Sequence, residues 1–312
     1  MILEGNVLDK MFEIPDNSVQ MVCTSPPYWN LRDYNMSDQF GLEATPEEYI
    51  SNLVAVFRGI SRVLKKDGTV WLNIGDSYAS SGVFGKPNEM VGAGTKDLAY
   101  GRAPTPDGIS PKNLIGIPWK LAFAMQKDGW YLRQEIIWYK PNAMPEPVSD
   151  RCTKAHESIF LFAHPESKGK YYYNADAIRE PHLEESLERT QRDWDGKRDI
   201  GNIKSSWSGM DIKNMCHPLG KNKRSVWTIN TQASRDEHFA VFPPKIPELC
   251  IKAGSQKGDT VLDPFFGSGT TGSVAQRLDR KWIGIELNPK YVKLAKRKFA
   301  QVELFYKESK IG

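Results

Sequence analysis

The chain has 312 residues, 40% hydrophobic and 26% charged, with a formal charge of +4. That length exceeds what one compact core usually holds, and the composition excludes wholesale disorder, a fibre and a short disulfide-stapled scaffold. No apolar run approaches the roughly eighteen residues of a membrane helix, and Met1-Ile2-Leu3-Glu4-Gly5 lacks the regions of a secretion signal, so a soluble cytoplasmic protein is expected.

An apolar stretch at 19–23 runs into Thr24-Ser25-Pro26-Pro27-Tyr28-Trp29, where two prolines forbid further strand pairing or helix, so a buried strand ends at Ser25. Residues 47–64 carry Tyr49, Leu53, Val56, Phe57, Ile60 and Leu64 at helical spacing, with Thr45 as N-cap and Pro46 in the first turn. Gly68 stops that helix, and 69–74 reads as a strand, which completes a unit of parallel sheet. The Gly-, Ser- and Pro-rich stretch 77–111 is expected to be a long loop. A helix follows at 113–127 and strands at 131–138 and 158–162. Between 164 and 230 no period holds, which marks an inserted or appended region. From 244 the alternation resumes, with helices at 244–253, 269–278 and 289–302 and strands at 260–263 and 282–286. Two α/β segments flank a middle of different character, and both are assigned to one doubly wound sheet.

Net charge is −2 over 1–140, zero over 141–238 and +6 over 239–312. Within the neutral middle, Lys197, Arg198, Lys204, Lys213, Lys221, Lys223 and Arg224 stand against only Asp199 and Asp211. Such a cluster suits phosphate contacts and equally a solvated loop. The four cysteines are scattered with no Cys-x-x-Cys pair and the five histidines show no ligand spacing, so neither disulfides nor a metal is expected.

Asp263-Pro264-Phe265-Phe266-Gly267-Ser268-Gly269-Thr270-Thr271 lies between a predicted strand and a predicted helix, where open α/β sheets bind nucleotide-like ligands. Glu286, at the end of the next strand, is suited to accept hydrogen bonds from ribose hydroxyls. A full Gly-x-Gly-x-x-Gly and a phosphate-gripping Gly-Lys-Ser/Thr are both absent, which favours a cofactor with ribose and no phosphates. S-adenosylmethionine has that chemistry.

Ser25-Pro26-Pro27-Tyr28 ends a strand in the other α/β half and should reach the same sheet edge. Its prolines stiffen the backbone and leave carbonyls free to point into a cleft. An exocyclic amine on a base has its lone pair delocalised into the ring, so it attacks a methyl donor only when acceptors hold its hydrogens. The Ser25 hydroxyl and Pro26 carbonyl can do so, and Tyr28 offers a face for stacking an extruded base. No Pro-Cys pair exists for covalent attack on cytosine carbon 6. Asp76 could border the cleft and support Ser25, or simply cap a strand end.

With these motifs in this order, the sequence resembles the beta-class amino-methyltransferases of DNA, which often belong to restriction-modification systems. The resemblance runs through 24–29, 68–76, 136–142, 242–250, 263–271 and 283–289. It implies a doubly wound, mostly parallel α/β sheet of the permuted Rossmann-like methyltransferase fold with a smaller target-recognition region. Residues 1–142 would form the catalytic half, 143–238 the recognition region and 239–312 the cofactor half. Carried over, Ser25, Pro26, Pro27 and Tyr28 become the catalytic and target-base site. Asp263, Phe265, Gly267, Ser268, Gly269, Thr270 and Glu286 become the cofactor site. The family's Gly-Asp near the start is here Gly5-Asn6 with Asp9 following, which makes Asn6 and Asp9 rivals for one cofactor role. A serine before Pro-Pro-Tyr is similar to the cytosine N4 enzymes, whereas adenine N6 enzymes more often carry Asp or Asn.

The expected activity is therefore S-adenosylmethionine-dependent methylation of the cytosine N4 amine in double-stranded DNA by base flipping, with adenine N6 as the alternative. Methylation of RNA or protein glutamine is a rival that Ser25 counts against, and a non-catalytic DNA-binding module is another. The seven basic residues of 197–224 would hold DNA, with the loops 30–41 and 77–111 closing around it. A cognate restriction endonuclease would act separately, and the chain would be a monomer or homodimer.

Overall fold

The computed structural model describes residues 1–79, 108–191, 216–232 and 242–308. The chain opens with β1 (Ile2–Glu4) and α1 (Val7–Met11), the latter capped by the Asn6 carboxamide, whose oxygen accepts from the Leu8 amide at 2.9 Å. Both are too short to show a period, which is why the sequence pattern does not reveal them. β2 (Val19–Thr24) is buried at every position, as a strand covered on both faces must be. α2 (Pro46–Val63) begins under the Thr45 hydroxyl, which accepts from the Glu48 amide, and turns Tyr49, Leu53, Phe57 and Ile60 into the core. β3 (Leu64–Ile74) starts at Leu64, not Thr69, because Leu64 already pairs with Val19 ahead of a register shift.

α3 (Ile117–Lys127) starts later than the 113 expected. Gly116 sits at φ +80°, and the Asp76 carboxylate accepts from the Gly116 and Ile117 amides at 3.0 and 2.9 Å. Asp76 is thus a helix-starting cap and does not reach Ser25. There follow β4 (Tyr131–Tyr139), β5 (His156–Ala163), α4 (Glu184–Gln191), β6 (Val226–Thr228), α5 (Lys245–Gly254), β7 (Thr260–Asp263), α6 (Thr270–Arg277), β8 (Lys281–Glu286) and α7 (Pro289–Glu308).

Among the described residues, eight strands form one sheet in the order β1-β8-β7-β2-β3-β5-β4-β6. Every pairing is parallel except the two made by β5. The chain winds outward from β2 to β3 in one direction and from β7 to β8 in the other, so the sheet reverses between β7 and β2, the place where α/β sheets hold ligands. The carboxyl ends of β2, β3, β4, β7 and β8 share one edge, and antiparallel β5 brings its amino end, His156-Glu157, to that edge as well.

Residues 1–173 with 225–312 make one compact unit and 174–224 a second. β5 and β6 lie inside the interval 143–238 that the sequence assigns to the recognition region, and both pair into the main sheet. Among the described residues, no helix is long and apolar enough to cross a membrane.

Candidate active site

At the β7–β2 reversal the two predicted loops are stapled together. The Thr24 hydroxyl donates to Asp263 Oδ1 at 2.7 Å, the Phe265 amide donates to the same oxygen at 3.1 Å, and the Thr271 hydroxyl reaches the Cys23 carbonyl at 3.4 Å. Asp263 is fully buried, and burial pushes its carboxyl up to about 6 against these hydrogen bonds. It ties the loops together from below and does not line the cavity above them.

That cavity encloses about 560 Å³, within the range of small-molecule sites. One end is walled by Phe265, Gly267, Ser268, Thr270 and Glu286. Gly267 and Gly269 have φ of +51° and +81°, a left-handed backbone that other residues resist, and Gly269 supports the turn without lining the cavity. Glu286 accepts from the Gly267 amide at 2.7 Å and the Asn288 amide at 2.8 Å, so its carboxylate splints the loops after β7 and β8. Burial raises it to about 7 despite those bonds. Its remaining lone pairs belong to a desolvated carboxylate on the cavity wall, a site that hydroxyl donors suit and phosphates do not. Asn6 lines the same end, while Asp9 is exposed on α1 and does not.

The other end holds Ser25, Pro26, Pro27 and Tyr28. The expectation that both proline carbonyls are free fails for Pro27, whose oxygen accepts from the buried Tyr49 hydroxyl at 2.7 Å. The Tyr28 ring lies against Gly75, where an added Cβ would sit 2.6 Å from its Cε2. Ser25 Oγ donates to Tyr28 Oη at 3.3 Å, and Tyr28 Oη donates to Glu157 Oε2 at 2.6 Å. Burial, then the Glu157 charge, holds the Tyr28 phenol well above its ordinary range, so it remains a donor. Glu157 also accepts from Asn73 Nδ2 at 2.8 Å and ion-pairs with Lys140, whose ammonium sits 4.3 Å from the centre of the Trp138 ring.

Asn73, Lys140 and Glu157 line the cavity and were not singled out as site residues from sequence. A signal existed for Glu157, the one charge in the strand-like run from 157 to 163, which is apolar from Ile159 onward. From the loop 30–41, Arg32, Tyr34, Gln39 and Phe40 also line the cavity, and Phe40 meets Phe265 edge-on at 5.6 Å between ring centres.

Of the basic cluster, Lys197, Arg198, Lys204 and Lys213 lie outside the described residues, as does most of the loop 77–111. Lys221 pairs with Glu180 through their backbones in an isolated bridge, and Glu180 takes Lys223 at 2.7 Å and Arg224 at 3.0 Å. With its side chain only 18% exposed, Lys223 is an internal tether of its unit before it is anything else.

A family model described as DNA methylase matches residues 19–297. The chain is 46% identical over 298 residues to the type II methyltransferase M.SmaI of Serratia marcescens, covering 95% of this chain and 89% of that protein. It is 43% identical to M.Cfr9I of Citrobacter freundii, covering 94% and 85%. Among solved structures it is similar to the PvuII DNA methyltransferase (cytosine-N4-specific), with a TM-score of 0.63 and 20% identity over 95% of this chain and 84% of that one. The M1.HpyAVI–SAM complex has the same fold, at a TM-score of 0.51 and 16% identity over 96% and 98%.

Proposed function

The chain belongs to the DNA methylase family, and from that premise we propose that it methylates the N4 amine of cytosine in duplex DNA, with S-adenosylmethionine as donor. The observation that carries the reading is one cavity with a desolvated carboxylate and glycine loop at one end and a rigid Ser-Pro-Pro-Tyr acceptor site at the other. PvuII methyltransferase, cytosine-N4-specific by name, supports the choice of amine, as does Ser25.

The residues fit the donor. Glu286 would take the ribose hydroxyls, Phe265 and Ile285 offer apolar walls for a base, and Gly267, Ser268, Thr270 and Asn6 would complete that end. S-adenosylmethionine, when bound, supplies an electrophilic methyl carbon. Ser25 Oγ and the Pro26 carbonyl accept the hydrogens of the target amine, which turns its lone pair toward that carbon. Tyr28 stacks on the flipped base, offsetting part of the few kcal/mol that unstacking costs. Asp263 and Thr24 hold the two loops in register, so donor and acceptor meet at a fixed distance.

Duplex DNA incubated with the chain and methyl-labelled S-adenosylmethionine tests this. Label should enter DNA and be lost with Ser25→Ala. Label appearing only in RNA or protein would overturn it.

A further inference from the structure

Four elements that are far apart in sequence converge behind Tyr28 on one carboxylate. Glu157 stands at the amino end of β5, Lys140 just past β4, Asn73 within β3 and Tyr28 just past β2. Glu157 receives all three donors and has no hydrogen to give. Its side chain is 15% exposed and Lys140's 18%, so water contributes little to the arrangement. Asn73 is turned to suit it. Its Nδ2 faces the carboxylate, and its buried Oδ1 has no hydrogen-bond partner among the described residues.

We propose that Glu157 is a positioning residue that sets the polarity of the Tyr28–Ser25 hydroxyl chain, and so makes the cavity accept an amine in preference to a carbonyl. The inference rests on the function proposed above and goes one step further, to how the target base is chosen.

An acceptor-only carboxylate obliges Tyr28 Oη to donate to it at 2.6 Å. The outward lone pairs of that phenol then receive the Ser25 hydroxyl hydrogen at 3.3 Å. With its one hydrogen committed inward, Ser25 Oγ can present only lone pairs to the cavity. A cytosine amine finds an acceptor there, while the O4 carbonyl of a uracil or thymine meets another acceptor. Such an unmatched pair in a desolvated site is disfavoured strongly, because neither group recovers the hydrogen bond it gave up. Lys140 keeps the sense of the chain fixed from the far side. In a Glu157→Gln variant the ammonium retains the amide oxygen and turns the NH₂ toward Tyr28 and Asn73, which share the other carboxylate oxygen in the wild type; Asn73 then flips so that its otherwise unpartnered Oδ1 accepts from that NH₂. Tyr28 then accepts, donates to Ser25, and Ser25 points its hydrogen into the cavity.

The test is equilibrium binding of duplexes carrying dC or dU at the mapped methylation site, with S-adenosylhomocysteine present so that no transfer occurs. Taking the dC-to-dU affinity ratio of each variant relative to wild type cancels the unequal cost of opening the two pairs. Glu157→Gln should lower the ratio about tenfold or more, on the scale by which buried polar sites reject mismatched partners. Glu157→Asp, still acceptor-only, should keep the wild-type preference. In a Tyr28→Phe background, Glu157→Gln should change the ratio no further, since the chain is already cut. Tyr28→Phe alone should also lower it, which keeps the test open if Glu157→Gln does not fold.

An unchanged ratio in a folded Glu157→Gln protein, or an equal drop in the Tyr28→Phe background, overturns the proposal. Failure of the wild type to methylate DNA at all would instead remove the functional reading beneath it.

Discussion

At the Glu286 end of the cavity most of the polar contacts come from one stretch of chain, 263–288, whose strand, loop, helix and strand follow one another directly. At the Tyr28 end they come from the ends of β2, β3, β4 and β5, and Tyr28 and Glu157 are 129 residues apart. One end is a local motif and the other a product of sheet order. A local motif survives changes elsewhere in the chain, whereas a converged cluster depends on every strand that feeds it. The two ends should therefore fail in different ways when perturbed.

The largest effect is expected at the Tyr28 end. Ser25→Ala removes the proposed acceptor for the target amine and should lower kcat by about 10²–10³, the range for loss of one preorganised hydrogen-bonding group at the reacting centre. S-adenosylmethionine affinity, measured by calorimetry, should be unchanged. Gly75→Ala places a methyl group where the Tyr28 ring packs and should cost more than tenfold in kcat through the displaced ring. Equal losses in cofactor affinity would show that the two ends are not separable.

Glu286→Ala is the matching change at the other end. Hydrogen bonds to a charged group contribute roughly 1.5–3 kcal/mol each, so S-adenosylmethionine affinity should fall about 10- to 100-fold, with the dC-to-dU ratio untouched.

Glu286 and Asp263 rise to about 7 and about 6 from ordinary values of 4.5 and 3.8. Between about pH 4 and 7 the folded, ligand-free chain therefore holds protons that the unfolded chain has released. Stability should fall as pH climbs through that window and level off above about 7, and thermal unfolding of Glu286→Gln should show a shallower slope.

Most of the sheet could be read from the sequence because its strands are long apolar runs and α2, α5 and α7 carry a clear period. The Gly267 loop could be read because its residues are contiguous. What escaped reading depends on pairing. No pattern in residues 140–157 indicates that antiparallel β5 delivers Glu157 to an edge made otherwise of carboxyl ends, and the unpatterned middle hides the three residues of β6 that extend the main sheet. Asp263 opens the glycine-loop motif, yet a motif does not say whether a carboxylate faces the cavity or lies beneath it. Charge runs mislead for a similar reason, since Lys223 belongs to a cluster in sequence and to Glu180 in space.

The smallest effect is expected there. Lys223→Ala should speed hydrogen exchange in 216–224 while leaving the salt dependence of DNA binding unchanged, whereas a phosphate contact would reduce that slope by about one.

The most direct measurement is nucleoside analysis of duplex DNA after incubation with the chain and S-adenosylmethionine. The geometry around Ser25 and Tyr28 predicts 4-methylcytosine, absent from DNA treated with Ser25→Ala. Finding 6-methyladenine alone, or no methylated nucleoside, would contradict the assignment of this cavity to the cytosine amine.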